Sequence, residues 1–176
     1  MPVAADAPID LAPLRQQLGA GVLFEDSLSG FPRVWVKREA LLETLRLLRE
    51  SPAFRMHQLT DLTVIDNLYL KPEADRFEVS YLLKNLERET RVAVRTKVPA
   101  SDPTVPSATG LWAAADWAER EAFDQYGVVF TGHWNLRRIL NHKDFVGHPL
   151  RKDYDIYRGQ WLAEADDLLE ALELKR

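Results

Sequence analysis

The chain has 176 residues, 46% hydrophobic and 28% charged, with a formal net charge of -4 at pH 7 and no cysteine. Roughly 100–200 residues make one domain with its own core, and the missing cysteine excludes disulfides, zinc fingers, thiol catalysis and cysteine-ligated iron–sulfur clusters carried by this chain alone. The acidic balance argues against nucleic acid as a partner, and no apolar run reaches the roughly 20 residues that cross a bilayer. Met1 to Gln17 lacks the apolar or arginine-rich character of a targeting signal, so a soluble, cytosolic chain is expected.

Ile9 to Leu18 predicts a short helix, with Leu11, Leu14 and Leu18 at helical spacing and Gly19 and Gly21 stopping it. Val22 to Glu25 and Arg33 to Lys37 read as short strands around a turn at Ser27 to Gly30. Arg38 to Glu50 is a helix with Leu41, Leu42, Leu45 and Leu48 as its apolar stripe, ended by Pro52. Leu59 to Leu70 reads as one long or two short strands. Phe77 to Lys84 alternates, with Phe77, Val79, Tyr81 and Leu83 inward and Glu78, Ser80 and Lys84 outward. Arg91 to Val98 does the same, with Val92, Val94 and Val98 inward and Arg91, Arg95 and Lys97 outward. Asn85 to Thr90 is short and polar, so these two runs pair as an antiparallel hairpin. One apolar face per strand implies one face in water and an antiparallel sheet. Helices on the apolar face then make an α+β domain.

Pro99 to Gly110 reads as a loop, and Leu111 to Tyr126 as a helix ended by Gly127. Asp116, Arg120 and Asp124 line up at four-residue intervals on that helix. Val128 to Tyr157 has no sustained period, only the apolar pieces Val128–Phe130 and Ile139–Leu140. From His133 onward it is locally basic, with Arg137, Arg138, Lys143, Arg151, Lys152 and Arg158 against Asp144, Asp153 and Asp155. Long aperiodic stretches in compact domains tend to be functional or linkers, and Arg, Trp and Tyr together are the composition of interface anchors. Gln160 to Arg176 predicts an acidic amphipathic helix. The domain therefore spans 1–130, and 131–176 is an irregular docking segment with a C-terminal helix or tail.

Glu119, Glu121 and Asp124 read more readily as helix-face ion pairing than as acid–base work, with Arg120 as the partner of Asp124. His133, His142 and His148 match no metal-site spacing, so a histidine in Gly-His-Trp or Gly-His-Pro is expected to bond backbone or a carboxylate at a turn. Arg137, Arg138, Arg151 and Lys152 suit carboxylates of this chain or a partner better than phosphates. No glycine motif for phosphate and no nucleophile elbow is present.

The run Glu119-Arg120-Glu121, Asp124, Gly127, Gly132-His133 and Leu136-Arg137-Arg138-Ile139-Leu140 resembles the signature of the C-subunit family of respiratory complex I, the 30-kilodalton subunit family of NADH-quinone oxidoreductase. This family is related to the chloroplast J subunit and to membrane-bound hydrogenase subunits. Gly147-His148-Pro149-Leu150-Arg151-Lys152-Asp153-Tyr154 matches the family's following motif. Val105-Pro106-Ser107, Leu111-Trp112, Ala115 and Trp117 resemble the approach to the signature, and Asp61-Leu62-Thr63 with Asp66 is more weakly similar. The likeness is strong from Val105 to Tyr154, extends back to about Leu59, and covers the first fifty residues only in layout. Trp134 and Asp155 stand where the family usually has proline.

The resemblance implies an α+β single domain, with an antiparallel or mixed sheet packed by helices and an extended C-terminal partner-binding segment. It implies a cofactor-free peripheral-arm subunit of the proton-translocating NADH-quinone oxidoreductase, docking on the quinone-site D subunit and supporting assembly of the electron-transfer arm. The B and I subunits are the further expected neighbours. NADH, FMN, iron–sulfur clusters and quinone would be held elsewhere in the complex. The expected location is the cytoplasmic side of a bacterial cell membrane, with membrane contact only through the complex. Two rival readings are the equivalent subunit of a membrane-bound hydrogenase-type complex, and a small stand-alone enzyme using Glu121, Asp124 and His133 as an acid–base cluster.

Overall fold

The computed structural model describes residues 9–28, 31–70, 76–157 and 159–160. Helix α1 (Ala12–Leu18) leads through Gly19 to the antiparallel pair β1 (Val22–Leu28) and β2 (Phe31–Val36). A tight turn at Arg38–Ala40 opens α2 (Leu41–Glu50), and then come β3 (Gln58–Asp66), β4 (Phe77–Asn85) and β5 (Thr90–Val98). These five strands form one sheet in the order β1-β2-β5-β4-β3. The β4–β5 hairpin pairs Asn85 with Thr90, as the short polar connection requires.

The sheet is mixed, because β2 lies parallel to β5. Parallel neighbours need a long crossover, and here it consists of α2, β3 and β4. Alternation within a strand fixes which face it buries but not the direction of its neighbour, so an antiparallel sheet does not follow from the pattern alone.

The apolar face is the core. Phe77, Val79, Tyr81 and Leu83 of β4 stand beside Val98, Thr96, Val94 and Val92 of β5 in register, and all are buried. Leu41, Leu45 and Leu48 of α2 join the same buried cluster, each contributing about 2 kcal/mol by leaving water. The opposite face departs from the expectation of a wet surface. Glu78 and Ser80 are buried there, because the long side chains of neighbouring strands lie across them. Trp35 Nε1 donates to Glu78 at 3.0 Å and Arg95 does so at 2.7 Å, while the guanidinium groups of Arg33 and Arg95 stack on the Trp35 ring.

After β5 the Pro99–Gly110 stretch contains a short strand, β6 (Thr104–Pro106), which pairs in parallel with β7 (Val129–Thr131). Three residues are too few to show a period, which is why the sequence reads as loop. Between them α3 (Ala115–Tyr126) packs against β3. It starts later than the Leu111 spacing suggests, since Leu111 and Trp112 form a turn closed by the Ala108 carbonyl. From Gly132 to Tyr157 the chain runs through turns alone. The helix predicted for Gln160 to Arg176 lies, apart from Gln160, outside the described residues.

Candidate partner interface

Helix α3 buries four polar side chains, Glu119, Arg120, Asp124 and Gln125. Charged residues are seldom buried unless paired, and each of these charges has work within the chain. Asp124, fully buried, accepts from Arg138 at 2.6 Å, from the backbone N–H of Ile139, Leu140 and Asn141 at 2.8–3.1 Å, and from the Asn141 amide at 3.0 Å. Burial alone would raise its pKa, but these donors outweigh burial and hold the carboxyl well below the usual carboxylate range. Arg138 donates also to the carbonyls of Asp124 and Gly147. The expected Arg120–Asp124 pairing along the helix therefore gives way to a pairing across the irregular segment. Arg120 donates instead to the carbonyls of Arg137 and Arg138 at 3.1 and 3.2 Å.

A second fastening lies at the C-terminal end of α3. Gly127 caps the helix at φ +74°, and a Cβ there would collide with the Arg151 guanidinium and the His148 imidazole. The Arg151 Nε–H donates to the Tyr126 carbonyl, and its guanidinium lies over the Phe77 ring. The His148 Nδ1–H faces the Asp124 carbonyl at 3.0 Å. Burial, with Arg151 and Arg138 nearby, pushes the His148 pKa below its ordinary value. A third fastening joins the segment to the sheet. Arg76 forks between Asp66, at 2.8 and 3.0 Å, and Asp153, at 2.6 and 2.9 Å, while Asp66 also accepts the Lys152 backbone N–H.

The first turn of α3 organises the other end. His133 is buried; its Nδ1 accepts the Asn135 N–H, leaving Nε2–H toward the Asp116 carbonyl at 3.2 Å. Trp134 stacks on His133 and donates through Nε1 to Asp116 at 3.2 Å. Glu119 accepts from the Ser107 hydroxyl and the Ala108 N–H, fixing the loop before the helix. Burial raises the Glu119 pKa against the pull of these two donors.

The signature residues thus divide. Glu119, Arg120, Asp124, Gly127, His133, Arg138, Gly147, His148, Arg151 and Asp153 hold the chain together, and the Tyr154 ring lies against Gly147. Half-buried Pro149 and exposed Gly132 shape turns. Glu121, Arg137 and the Lys152 side chain face outward. Glu121, Asp124 and His133 are not brought together: His133 docks at Asp116, roughly 12 Å along the helix from Asp124, and Glu121 is exposed. His133 and His148 engage backbone at turns, the contact expected of Gly-His-Trp and Gly-His-Pro, and His142, for which no such contact was expected, accepts the Asp144 N–H in the same way. Sequence reasoning missed Arg76, which bridges Asp66 and Asp153, 10 and 77 residues away, and it placed Asp116 among the helix-face charges without its partner Trp134, 18 residues on. The Asp66 role was signalled only by the weak upstream likeness.

Large apolar side chains stand outward along the same segment: Trp134, Leu140, Val146, Leu150, Ile156 and Tyr157. The fold and this surface define a class: an α+β domain whose buried charges fasten the irregular segment that follows β7, with large apolar side chains of that segment exposed.

Residues 34–160 match the family described as respiratory-chain NADH dehydrogenase, 30 Kd subunit. The C subunit of NADH-quinone oxidoreductase from Roseiflexus sp. (strain RS-1) is 40% identical over 151 residues, covering 86% of this chain and 85% of that one. A C/D subunit of NADH-quinone oxidoreductase from Ectopseudomonas mendocina is 40% identical over 159 residues, 87% of this chain and 26% of the longer protein. A trypsin-resistant fragment of Nqo5 superposes with TM-score 0.59 at 33% identity, covering 70% of this chain and 96% of the fragment. A chain of the archaeal membrane-bound sulfane sulfur reductase shares the fold, with TM-score 0.65 at 23% identity over 90% of this chain and 89% of that one. The chain belongs to the 30 Kd subunit family of respiratory-chain NADH dehydrogenase, the family of the NADH-quinone oxidoreductase C subunits.

Proposed function

We propose that the chain is a peripheral-arm subunit of a proton-translocating NADH-quinone oxidoreductase that docks on the D subunit through residues 131–157 and carries no redox group itself. The six large apolar side chains exposed between Trp134 and Tyr157 carry this reading, because exposed apolar surface gathered on one segment marks an interaction site. The relatives named as C/D subunits, in which both share one chain, support the D subunit as the partner. The absence of cysteine removes thiolate ligands for iron–sulfur clusters, and the reading assigns electron transfer to other subunits. Among the described residues no helix is long and apolar enough to cross a membrane. The reading puts the chain at the periphery of the membrane complex, on its cytoplasmic side, with the B and I subunits as further neighbours. On this reading the domain of residues 1–130 carries residues 131–176 as its docking segment.

The sulfane sulfur reductase likeness supports the fold alone, and fold does not choose between related membrane complexes. Purifying the tagged chain from its native host tests the reading. The D subunit and NADH-quinone reductase activity should come with it. A solitary monomer with its own turnover, or a set of hydrogenase-type subunits, overturns it.

A further inference from the structure

Two tryptophans stand out on the surface around the first turn of α3. Trp134 is 73% exposed and Trp117 62% exposed, yet neither is loose. Trp134 is held at both ends of its indole, by the Asp116 hydrogen bond at 3.2 Å and by a near-parallel stack on buried His133, with ring centroids 6.5 Å apart. Trp117 is held by the Arg120 guanidinium, 5.2 Å from its ring centroid, and Arg120 is buried and pinned by two carbonyls. Asp116, which binds Trp134, and Trp117 are successive residues of the first turn of α3, so both rings are fastened to the same end of that helix. Large aromatic groups fixed before binding lose little entropy on association, the physical reason tryptophan dominates interface hot spots.

The rim has a charge left over. Arg120, Arg138 and Arg151 donate to carbonyls or a carboxylate inside the chain, whereas among the described residues the exposed Arg137 is engaged only through its carbonyl, by Arg120. It lies three residues from Trp134, and its carbonyl meets the cation that stacks on Trp117. Glu121, one turn on from Trp117, is the exposed acid of the same rim.

Resting on the docking reading above, we propose that Trp117 and Trp134 form the anchor of the contact with the D subunit, seated in an apolar hollow whose edge offers a carboxylate to Arg137. Fastening and binding are then divided among neighbouring signature residues: Arg138 holds the chain together and Arg137 meets the partner.

The test measures the affinity of the purified full chain for the purified D subunit from the same host, at two salt concentrations. Trp134→Ala and Trp117→Ala should each weaken binding about 30-fold, and Arg137→Glu about 10-fold with a flatter salt dependence. Trp134→Phe should keep most of the affinity, and Leu23→Ala, at the exposed edge strand β1, should change nothing. Among the described residues the Arg137 side chain makes no hydrogen bond or ion pair, so Arg137→Glu reads the proposal even where a tryptophan variant folds poorly. Binding within twofold of the unaltered chain for both alanine variants, or for Arg137→Glu, overturns the anchor while leaving the docking reading standing. An unaltered chain that does not bind the D subunit overturns the docking reading as well. A dimer of the isolated chain that Trp134→Ala abolishes assigns the surface to a second copy and overturns the proposal.

Discussion

Arg138→Ala removes the cation from a fully buried carboxylate, leaving Asp124 with backbone and amide donors only. Breaking a buried pair costs about 3–5 kcal/mol, and the lower end applies because those donors remain. A fall of roughly 6–12 °C in thermal midpoint is expected at about 2–4 °C per kcal/mol, with loss of assembled complex but unaltered electron transfer in what does assemble. Normal complex levels with a specific catalytic block would count against this. Glu119→Gln should act in the opposite direction. Burial raises the Glu119 pKa above its ordinary 4.5, so the stability linked to its proton is present at low pH and lost as pH rises through the folded value. Glutamine keeps an acceptor for Ala108 N–H and a polar partner for Ser107 without the charge. Its thermal midpoint should exceed that of the unaltered chain at pH 7.5, with the gap closing toward pH 4.

At the scale of elements, the strands and helices were legible where burial repeats at a fixed interval. Phe77, Val79, Tyr81 and Leu83 announce β4, and Leu41, Leu45 and Leu48 announce α2, because each element must hide one side. What was not legible depends on partners distant in the chain. Nothing near Glu78 says that Trp35, 43 residues earlier, will cover it, and nothing near Arg76 foretells Asp153. The signature charges were legible as a set but not in their assignments. Residues at four-residue intervals on a helix suggest Arg120 with Asp124, while the folded chain offers Asp124 a cation and three amides at once. The clasp of Asp66, Arg76 and Asp153 gives its own prediction. Arg76→Ala should raise amide hydrogen exchange at Lys152 and Tyr154 while amides of β4 and β5 stay protected. Uniform loosening of the sheet would show that the clasp belongs to the core instead.

For the whole molecule, the two fastenings built on carboxylates share one electrostatic character. Asp66 and Asp124 overcome burial through their donors, and Asp153 is pulled down by Arg76, so all three titrate below the ordinary 3.8. Each therefore contributes stability that is present above that value and lost as pH falls through its folded pKa. Acid below about pH 4 should loosen residues 131–157 from the domain, read as a change in Trp134 fluorescence, and Asp124→Asn should flatten that part of the profile. A transition at neutral pH would instead implicate the histidines.

The three successive amides that converge on Asp124 come from the main chain, and main-chain donors are the same whatever side chain they carry. Ile139 and Leu140 are thus held by position and not by identity: evolution is free to redecorate this stretch toward a partner without disturbing how it is held. Only proline, which has no amide hydrogen, breaks that freedom. Leu140→Asn should leave the thermal midpoint within about 1 °C, as for surface substitutions generally, and Leu140→Pro should lower it sharply. On the proposed docking role, the surface that meets the partner can drift with that partner while its attachment stays put.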